Sequence, residues 1–157
     1  MIMDLDDAIE NSLKCISLNV SIKQFQKDVI NSYIDGLDTF CVAGTGCGKS
    51  MTYILCPILH DILKYGKNIS LESLISVVII VQPLKSLMND QVSKLKILGL
   101  KATYVGEDQD YTGMSGYNYI IASPETISSS QFRKTLDEMR KKIVCIFVDE
   151  SHCIQSL

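Results

Sequence analysis

The sequence has no tryptophan, only three prolines and no excess of positive charge. Its 157 residues include 15 Lys and Arg against 18 Asp and Glu, which gives a formal net charge of −3. A protein that holds nucleic acid through a general basic field is therefore excluded, and any such contact has to be local. No apolar run approaches the ~20 residues of a membrane-spanning helix. With 46% hydrophobic residues, the chain is expected to fold as one domain around its own core.

The six cysteines show no Cys-x-x-Cys spacing, and most of them lie in apolar runs. This distribution favours buried free thiols over disulfides or zinc ligands. Free thiols indicate a reducing intracellular compartment. The first seven residues, Met-Ile-Met-Asp-Leu-Asp-Asp, are acidic and are not expected to act as a secretory signal.

A glycine-rich segment at 43–50, Ala-Gly-Thr-Gly-Cys-Gly-Lys-Ser, has the spacing of a phosphate-binding loop. The apolar run 39–43 predicts a buried strand before it, and a helix is expected directly after it. Backbone N–H groups of such a loop surround phosphate oxygens, and the helix N-terminus adds a positive dipole end. Lys49 is expected to reach the β- and γ-phosphates, and Ser50 to ligate Mg²⁺. The predicted nucleotide-binding residues of the loop are Gly44, Thr45, Gly46, Cys47, Gly48, Lys49 and Ser50.

A second candidate site follows the apolar run 143–148, which is typical of a central parallel strand buried on both faces. Asp149 and Glu150 come directly after it, at the end of the strand where ligands bind in α/β sheets. We expect Asp149 to hold Mg²⁺, through water, and Glu150 to polarise the water that attacks the γ-phosphate. Phosphoryl transfer depends mostly on positioning and charge neutralisation, so Lys49 and Glu150 are the candidate catalytic residues.

The alternation of predicted strands and helices indicates an α/β fold with a mainly parallel sheet. Pro57 is expected to kink the helix after the loop or to end it early. The predicted helices are 4–15, 22–35, a helix of about 14 residues after the loop, 84–98 with Gly99 as its cap, and 131–142. The predicted strands are 39–43, 77–81, 102–105, 119–122 and 143–148.

Residues 81–91, Val-Gln-Pro-Leu-Lys-Ser-Leu-Met-Asn-Asp-Gln, resemble motif Ia of RecQ-type DNA helicases, S-P-L-x-S-L-M-x-D-Q. Gln26 fits the adenine-reading glutamine of that family, and Ser123-Pro124-Glu125 resembles its A/T/S-P-E element. Residues 149–153, Asp-Glu-Ser-His-Cys, resemble its D-E-A-H-C box. The resemblance spans roughly residues 17–157 in motif order.

This resemblance implies a RecA-like P-loop NTPase lobe of a superfamily 2, 3′-to-5′ DNA helicase that serves DNA repair and recombination. Its cofactors would be ATP and Mg²⁺, and its partner DNA, as single strand and duplex junction. Lys23 and Gln26 would contact the base, Pro83 and Ser86 the DNA backbone, and His152 would couple the nucleotide site to DNA. Residues 1–157 would form the helicase ATP-binding domain, with about 1–16 as an N-terminal helical extension. A eukaryotic member would act in the nucleus.

Several positions depart from the family pattern. Lys23 stands in place of an arginine, Asn19 in place of a base-stacking aromatic, Cys47 in place of a glycine, and Leu157 in place of a tryptophan. The sequence holds neither the later motifs nor the second RecA-like lobe with its arginine finger. The lobe is thus expected to be incomplete at its C-terminus and to unwind little DNA alone.

Two other interpretations compete with the helicase lobe. The chain can be a stand-alone ATP-binding module, a truncated relative without turnover, which shares every residue named above. It can also be another P-loop enzyme, such as a kinase or a transporter ATPase. The match at 83–91 and the Asp-Glu-Ser-His box argue against this last class.

Overall fold

The computed structural model describes residues 3–39, 48–106 and 109–149. The chain divides into two compact units, Met1–Leu74 and Ile75–Leu157, and each is treated by itself. In the described part of the chain, no helix has the length and apolar character needed to cross a membrane.

The first unit is helical, with α1 at Leu5–Cys15, α2 at Gln24–Ile34 and α3 at Ser50–Tyr65, followed by a short 3₁₀ turn at Leu71–Ser73. Both α1 and α2 pack against α3. These helices confirm the three predicted for this part of the sequence, although α2 begins two residues later than expected. The predicted strand 39–43 lies outside the described residues, apart from Thr39, which is not in a strand.

Helix α3 continues through Pro57 to Tyr65, so of the two effects expected of the proline, a kink or an early end, the early end was wrong. Proline costs a helix interior about 3 kcal/mol, because it lacks an N–H and crowds the preceding turn. The same helix buries large aliphatic side chains, each of which contributes about 1.5–3 kcal/mol. Leu55, Ile58, Leu59 and Ile62 are at most 1% exposed, and their burial outweighs the cost of the proline.

The second unit contains a four-stranded parallel sheet in the order β2-β3-β1-β4. Its strands are β1 at Val77–Val81, β2 at Ala102–Val105, β3 at Tyr119–Ala122 and β4 at Ile143–Val148. All four coincide with the predicted strands. Its helices are α4 at Lys85–Ile97, α5 at Pro124–Ser128 and α6 at Ser130–Glu138. Helix α4 packs on β2 and β3, so the described sheet is parallel and flanked by helices, as predicted.

The core of this unit lies between the sheet and the segments that follow β2 and β3. Tyr111 and Phe132 meet edge to face there, with ring centroids 5.0 Å apart. The buried cluster consists of Val77, Ile79, Val105, Tyr111, Met114, Ile120, Ala122, Phe132 and Met139. Burial of these apolar side chains stabilises the packing of the sheet.

Two expectations for this unit were wrong. Strand β4 is not buried on both faces: it lies at the edge of the described sheet, and Ile146 and Val148 on one of its faces are more than half exposed. An apolar run alone does not determine strand order. The predicted helix 131–142 ends at Glu138 and is preceded by the unpredicted α5. After Glu138 the backbone bonds become those of turns, from the Arg140 N–H to the Asp137 carbonyl and from the Lys142 N–H to the Met139 carbonyl, and the chain then enters β4.

Candidate nucleotide-binding site

The end of the glycine-rich loop runs directly into helix α3. Gly48 has a φ of +84°, Lys49 precedes the helix and Ser50 is its first residue. The N–H groups of Met51 and Thr52 donate to the carbonyls of Gly48 and Lys49, each at 3.2 Å, which closes the first turn. The predicted helix start is therefore confirmed. Gly44, Thr45, Gly46 and Cys47 lie outside the described residues.

Gln26 joins the start of α2 to this loop end. Its Oε1 accepts a hydrogen bond from the Lys23 N–H at 2.7 Å, and its Nε2 donates to the Gly48 carbonyl at 2.7 Å. The first contact is one half of a capping box, in which a side chain three residues into the helix satisfies an N–H at its start. Gln26 is only 5% exposed, whereas the Lys23 side chain is exposed. The structure thus brings Lys23, Gln26 and Gly48 together, with the Gln26 amide already bonded at both ends.

No residue other than glycine fits position 48 without a change in its surroundings. A Cβ atom there would lie 2.8 Å from Gln26 Nε2, closer than Cβ atoms normally approach other atoms. A positive φ also disfavours any residue with a side chain. The loop end therefore depends on glycine for its backbone angle and for its close contact with Gln26.

Tyr33 is a second link between α2 and α3 that the sequence analysis missed. Its hydroxyl donates to the Thr52 carbonyl at 3.0 Å, and its ring stacks on His60 with centroids 5.9 Å apart. Tyr33 follows Gln26 by seven residues, two helical turns, so both lie on one face of α2. The seven-residue spacing and the polar group on an otherwise apolar helix face are the sequence features that could have identified Tyr33.

In the second unit, Asp149 follows β4 at the carboxyl edge of the sheet. Its N–H donates to the Val81 carbonyl at 2.9 Å, which aligns the ends of β1 and β4. Asp149 Oδ2 accepts hydrogen bonds from Gln91 Nε2 at 2.7 Å and from Gln82 Nε2 at 3.4 Å. Gln82 is fully buried, and its Oε1 accepts from the Leu84 N–H at 3.1 Å. Glu150 and His152 lie outside the described residues.

The two candidate DNA contacts lie next to this edge. Pro83 is half-buried in the turn after β1, and Ser86 is exposed in the first turn of α4. Gln91 lies five residues after Ser86 on the same helix and was not assigned a role from the sequence. The sequence feature that could have identified Gln91 is its place in the motif, since it is one of the matched residues of segment 83–91.

The residues of the second unit fit a magnesium ion. Mg²⁺ takes oxygen ligands, and protein sites supply one or two carboxylates beside substrate phosphates. Asp149 offers a carboxylate whose orientation is set by two amide donors. Gln91 Oε1, on the amide that bonds to Asp149, is buried and accepts no hydrogen bond from any described residue. In the first unit, considered by itself, Ser50 exposes a hydroxyl oxygen, an atom of the kind that Mg²⁺ takes as a ligand.

The chain is similar to known helicases. A family model described as DEAD/DEAH box helicase matches residues 23–157. "ATP-dependent helicase wrn-1" of Caenorhabditis elegans is 33% identical over 84% of this chain and 12% of its own length. "ATP-dependent DNA helicase RecQ" of Haemophilus influenzae is 28% identical over 90% of this chain and 22% of its own. The chain thus spans less than a quarter of the length of these relatives.

A solved structure is also similar. The hypothetical ATP-dependent RNA helicase from Sulfolobus tokodaii aligns over 91% of this chain and 50% of its own chain, with 16% sequence identity and a TM-score of 0.49.

Proposed function

The chain belongs to the DEAD/DEAH box helicase family, and we propose that it binds ATP with Mg²⁺ as the ATP-binding lobe of a RecQ-type 3′-to-5′ DNA helicase. One observation carries the proposal. Gly48, Lys49 and Ser50 join the end of the glycine-rich segment to the N-terminus of a 16-residue helix, and a helix N-terminus that follows a glycine-rich loop is suited to bind phosphate. The relatives named as ATP-dependent helicases support it.

The phosphates are bound by Lys49 and by the N–H groups at the start of α3. The ammonium of Lys49 neutralises charge on the β- and γ-phosphates, and the Ser50 hydroxyl and Asp149 carboxylate hold Mg²⁺. When bound, the metal neutralises charge that develops on the transferred phosphoryl group. Glu150 accepts a hydrogen bond from the attacking water and orients it.

The base is bound at the start of α2, by Lys23 and Gln26. The Gln26 amide keeps one Nε2 hydrogen and one Oε1 lone pair beyond its contacts with Gly48 and Lys23. These two groups match the N7 acceptor and the N6 donor of adenine. We infer that Gln26 contacts adenine while it holds the loop end.

DNA is the second ligand, and it contacts the turn at Pro83 and the exposed Ser86. His152 couples that contact to the nucleotide, and a second RecA-like lobe is the partner that completes the helicase. We further infer that residues 1–157 act as one ATP-binding domain, with about 1–16 as an N-terminal extension. An intracellular place of action, nuclear in a eukaryote, is supported by the free thiol of Cys15. Partial burial raises the pKa of this thiol.

The test is a titration of the chain with labelled ATP in the presence of Mg²⁺. Lys49→Ala should abolish measurable binding, because backbone amides alone balance the phosphate charge poorly. Lys67→Ala is the matched control, since Lys67 is an exposed lysine of the same unit. Equal affinities of the Lys49→Ala variant and the parent would refute the phosphate site.

A further inference from the structure

We infer that Gln91 is a positioning residue for Asp149, which fixes the carboxylate in the orientation that binds the divalent cation. The inference rests on the proposed function, because it gives Asp149 the role of a magnesium-binding residue. It assigns a role to a side chain of α4 that lies far from Asp149 in the sequence.

The contact between Gln91 and Asp149 has the geometry of a strong hydrogen bond. Gln91 Nε2 lies 2.7 Å from Asp149 Oδ2, within the range of bonds to a charged acceptor. An ionised carboxylate only accepts hydrogen bonds, so the amide has to present its nitrogen and not its oxygen. The direction of the bond is thus determined by the chemistry of Asp149.

Gln82 makes a weaker contact with the same oxygen. Its Nε2 lies 3.4 Å from Asp149 Oδ2, beyond the usual range of an N–H···O bond. Its Oε1 is bonded to the Leu84 N–H, so the turn after β1 determines where its amide lies. Of the two glutamines, Gln91 therefore has the larger influence on the carboxylate.

The oxygen atom of the Gln91 amide also supports this role. Its Oε1 is buried and accepts no hydrogen bond from the residues that the structure describes. A buried acceptor without a partner destabilises the fold, so structural stability does not explain a glutamine at this position. An apolar side chain of the same length would pack there without that cost. The contact with Asp149 is the interaction that only a donor at position 91 can make.

Loss of the Gln91 donor should weaken cation binding and leave nucleotide binding without metal intact. A carboxylate that loses its orienting donor can rotate, and loss of such a partner typically lowers metal affinity by about tenfold or more. The Lys49 and Ser50 loop end belongs to the other unit and keeps its own contacts. The expected signature is thus a change in metal affinity without a change in metal-free ATP affinity.

The experiment measures Mn²⁺ binding by electron paramagnetic resonance, with the 157-residue chain in excess over ATP, so that free nucleotide does not bind the metal in solution. Gln91→Met and Gln91→Leu lack the donor, and each should raise the Mn²⁺ dissociation constant by about tenfold. Asn89→Ala is the matched control, because Asn89 is an exposed amide side chain of the same helix. ATP affinity in EDTA, measured with a fluorescent analogue, should equal that of the parent and also shows that each variant is folded.

A double-mutant cycle tests whether Gln91 influences cation binding through Asp149. If Gln91 acts through Asp149, the Gln91→Met change should add nothing to an Asp149→Asn variant. Unchanged Mn²⁺ affinity in both donor-free variants, or full additivity with Asp149→Asn, would overturn the inference. A parent chain that does not bind ATP at all would instead refute the proposed function, so the two failures are distinguishable.

Discussion

A glutamine side chain holds a functional group in each unit, and the two groups differ in charge. In the first unit, Gln26 donates to the neutral carbonyl of Gly48, and in the second, Gln91 donates to the Asp149 carboxylate, both at 2.7 Å. A hydrogen bond to a charged group contributes about 1.5–3 kcal/mol, against about 0.5–1.5 kcal/mol between neutral groups. Gln26 nevertheless makes a second bond, to the Lys23 N–H, which Gln91 does not match among the described residues.

Gln26 and Gln91 therefore support their partners in different ways. Gln26 is part of the fold as well as of the loop end, so changes there should lower both stability and ATP affinity. The Gln91 side chain bonds only to the carboxylate among the described residues, so changes there should weaken cation binding and leave metal-free ATP affinity unchanged. Substitutions at three positions of the first unit test this distinction.

The largest effect is expected from Gly48→Ala, with Gly36→Ala as its control. Both glycines have positive φ angles, +84° and +76°, but a Cβ atom meets Gln26 Nε2 only at position 48. Both variants should lose about 1–2 kcal/mol of unfolding free energy to backbone strain. Gly48→Ala should lose more and should bind ATP at least tenfold more weakly, while Gly36→Ala binds it normally.

Thermal unfolding and an ATP titration measure these two quantities. A Gln26→Ala change should restore part of the stability of the Gly48→Ala variant, because it removes the crowded amide. Equal losses at positions 36 and 48 would show that backbone strain alone, without the Gln26 contact, explains the glycine.

The next largest effect is expected at Gln26 itself, where two substitutions separate its two bonds. Gln26→Ala removes both, and should lower the unfolding free energy by about 1–3 kcal/mol. Gln26→Glu keeps an acceptor for the Lys23 N–H but turns a carboxylate oxygen toward the Gly48 carbonyl. Because position 26 is buried, the unpaired carboxylate should lower the unfolding free energy at least as much as Gln26→Ala does, and ATP affinity should fall as well.

Gln24→Ala is the control, since Gln24 is exposed on the same helix and bonds only to Asp28 in the described structure. We also expect Gln26 to make ATP bind ten- to a hundredfold better than GTP, about 1.4 kcal/mol per tenfold, because its amide matches the N7 acceptor and N6 donor of adenine; the same titrations measure this preference. If Gln26→Glu binds ATP as the parent does, Gln26 does not hold the loop end.

The smallest effect is expected from Tyr33→Phe. This change removes the hydroxyl that bonds to the Thr52 carbonyl but keeps the ring that stacks on His60. Denaturant unfolding should show a loss of about 1 kcal/mol. ATP affinity should change less than in Gln26→Glu, because Thr52 lies one turn inside α3. Tyr65→Phe, at an exposed tyrosine of the same unit, is the control.

A loss of ATP affinity in Tyr33→Phe as large as that in Gln26→Glu would lead to a different conclusion. The packing of α2 on α3, and not the Gln26 contact, would then determine the position of the loop end.

Periodicity predicted the described elements well, because each strand and helix buries a face with its own repeat. The bounds of β1, β2, β3 and β4 followed from short apolar runs between turn residues. The continuation of α3 through Pro57 could not be predicted from periodicity, since it depends on how much apolar surface the helix buries in the folded chain. The edge position of β4 could not be predicted either, because strand order is not encoded in the run itself.

The candidate site residues were chosen from sequence motifs, and their hydrogen-bond partners were not predicted. The sequence identified Lys49, Ser50 and Asp149, and the structure gives the first two a helix start and the third a strand end. It also named Gln26, but as a base reader only, and gave no role to Gln82, Gln91 or Tyr33. Hydrogen bonds over 22, 58 and 67 residues of sequence separation require the folded chain to be seen.

The most direct test of the proposed ATP·Mg²⁺ binding is the ATP affinity of the chain measured with Mg²⁺ and in EDTA, for the parent and for Asp149→Asn. We expect Mg²⁺ to tighten ATP binding by the parent several-fold, because the cation links the phosphates to the Asp149 carboxylate. Asp149→Asn should lose most of that gain and keep the affinity measured in EDTA. A parent chain that binds ATP equally well with and without Mg²⁺, or an Asp149→Asn variant that keeps the full gain, would contradict the assignment.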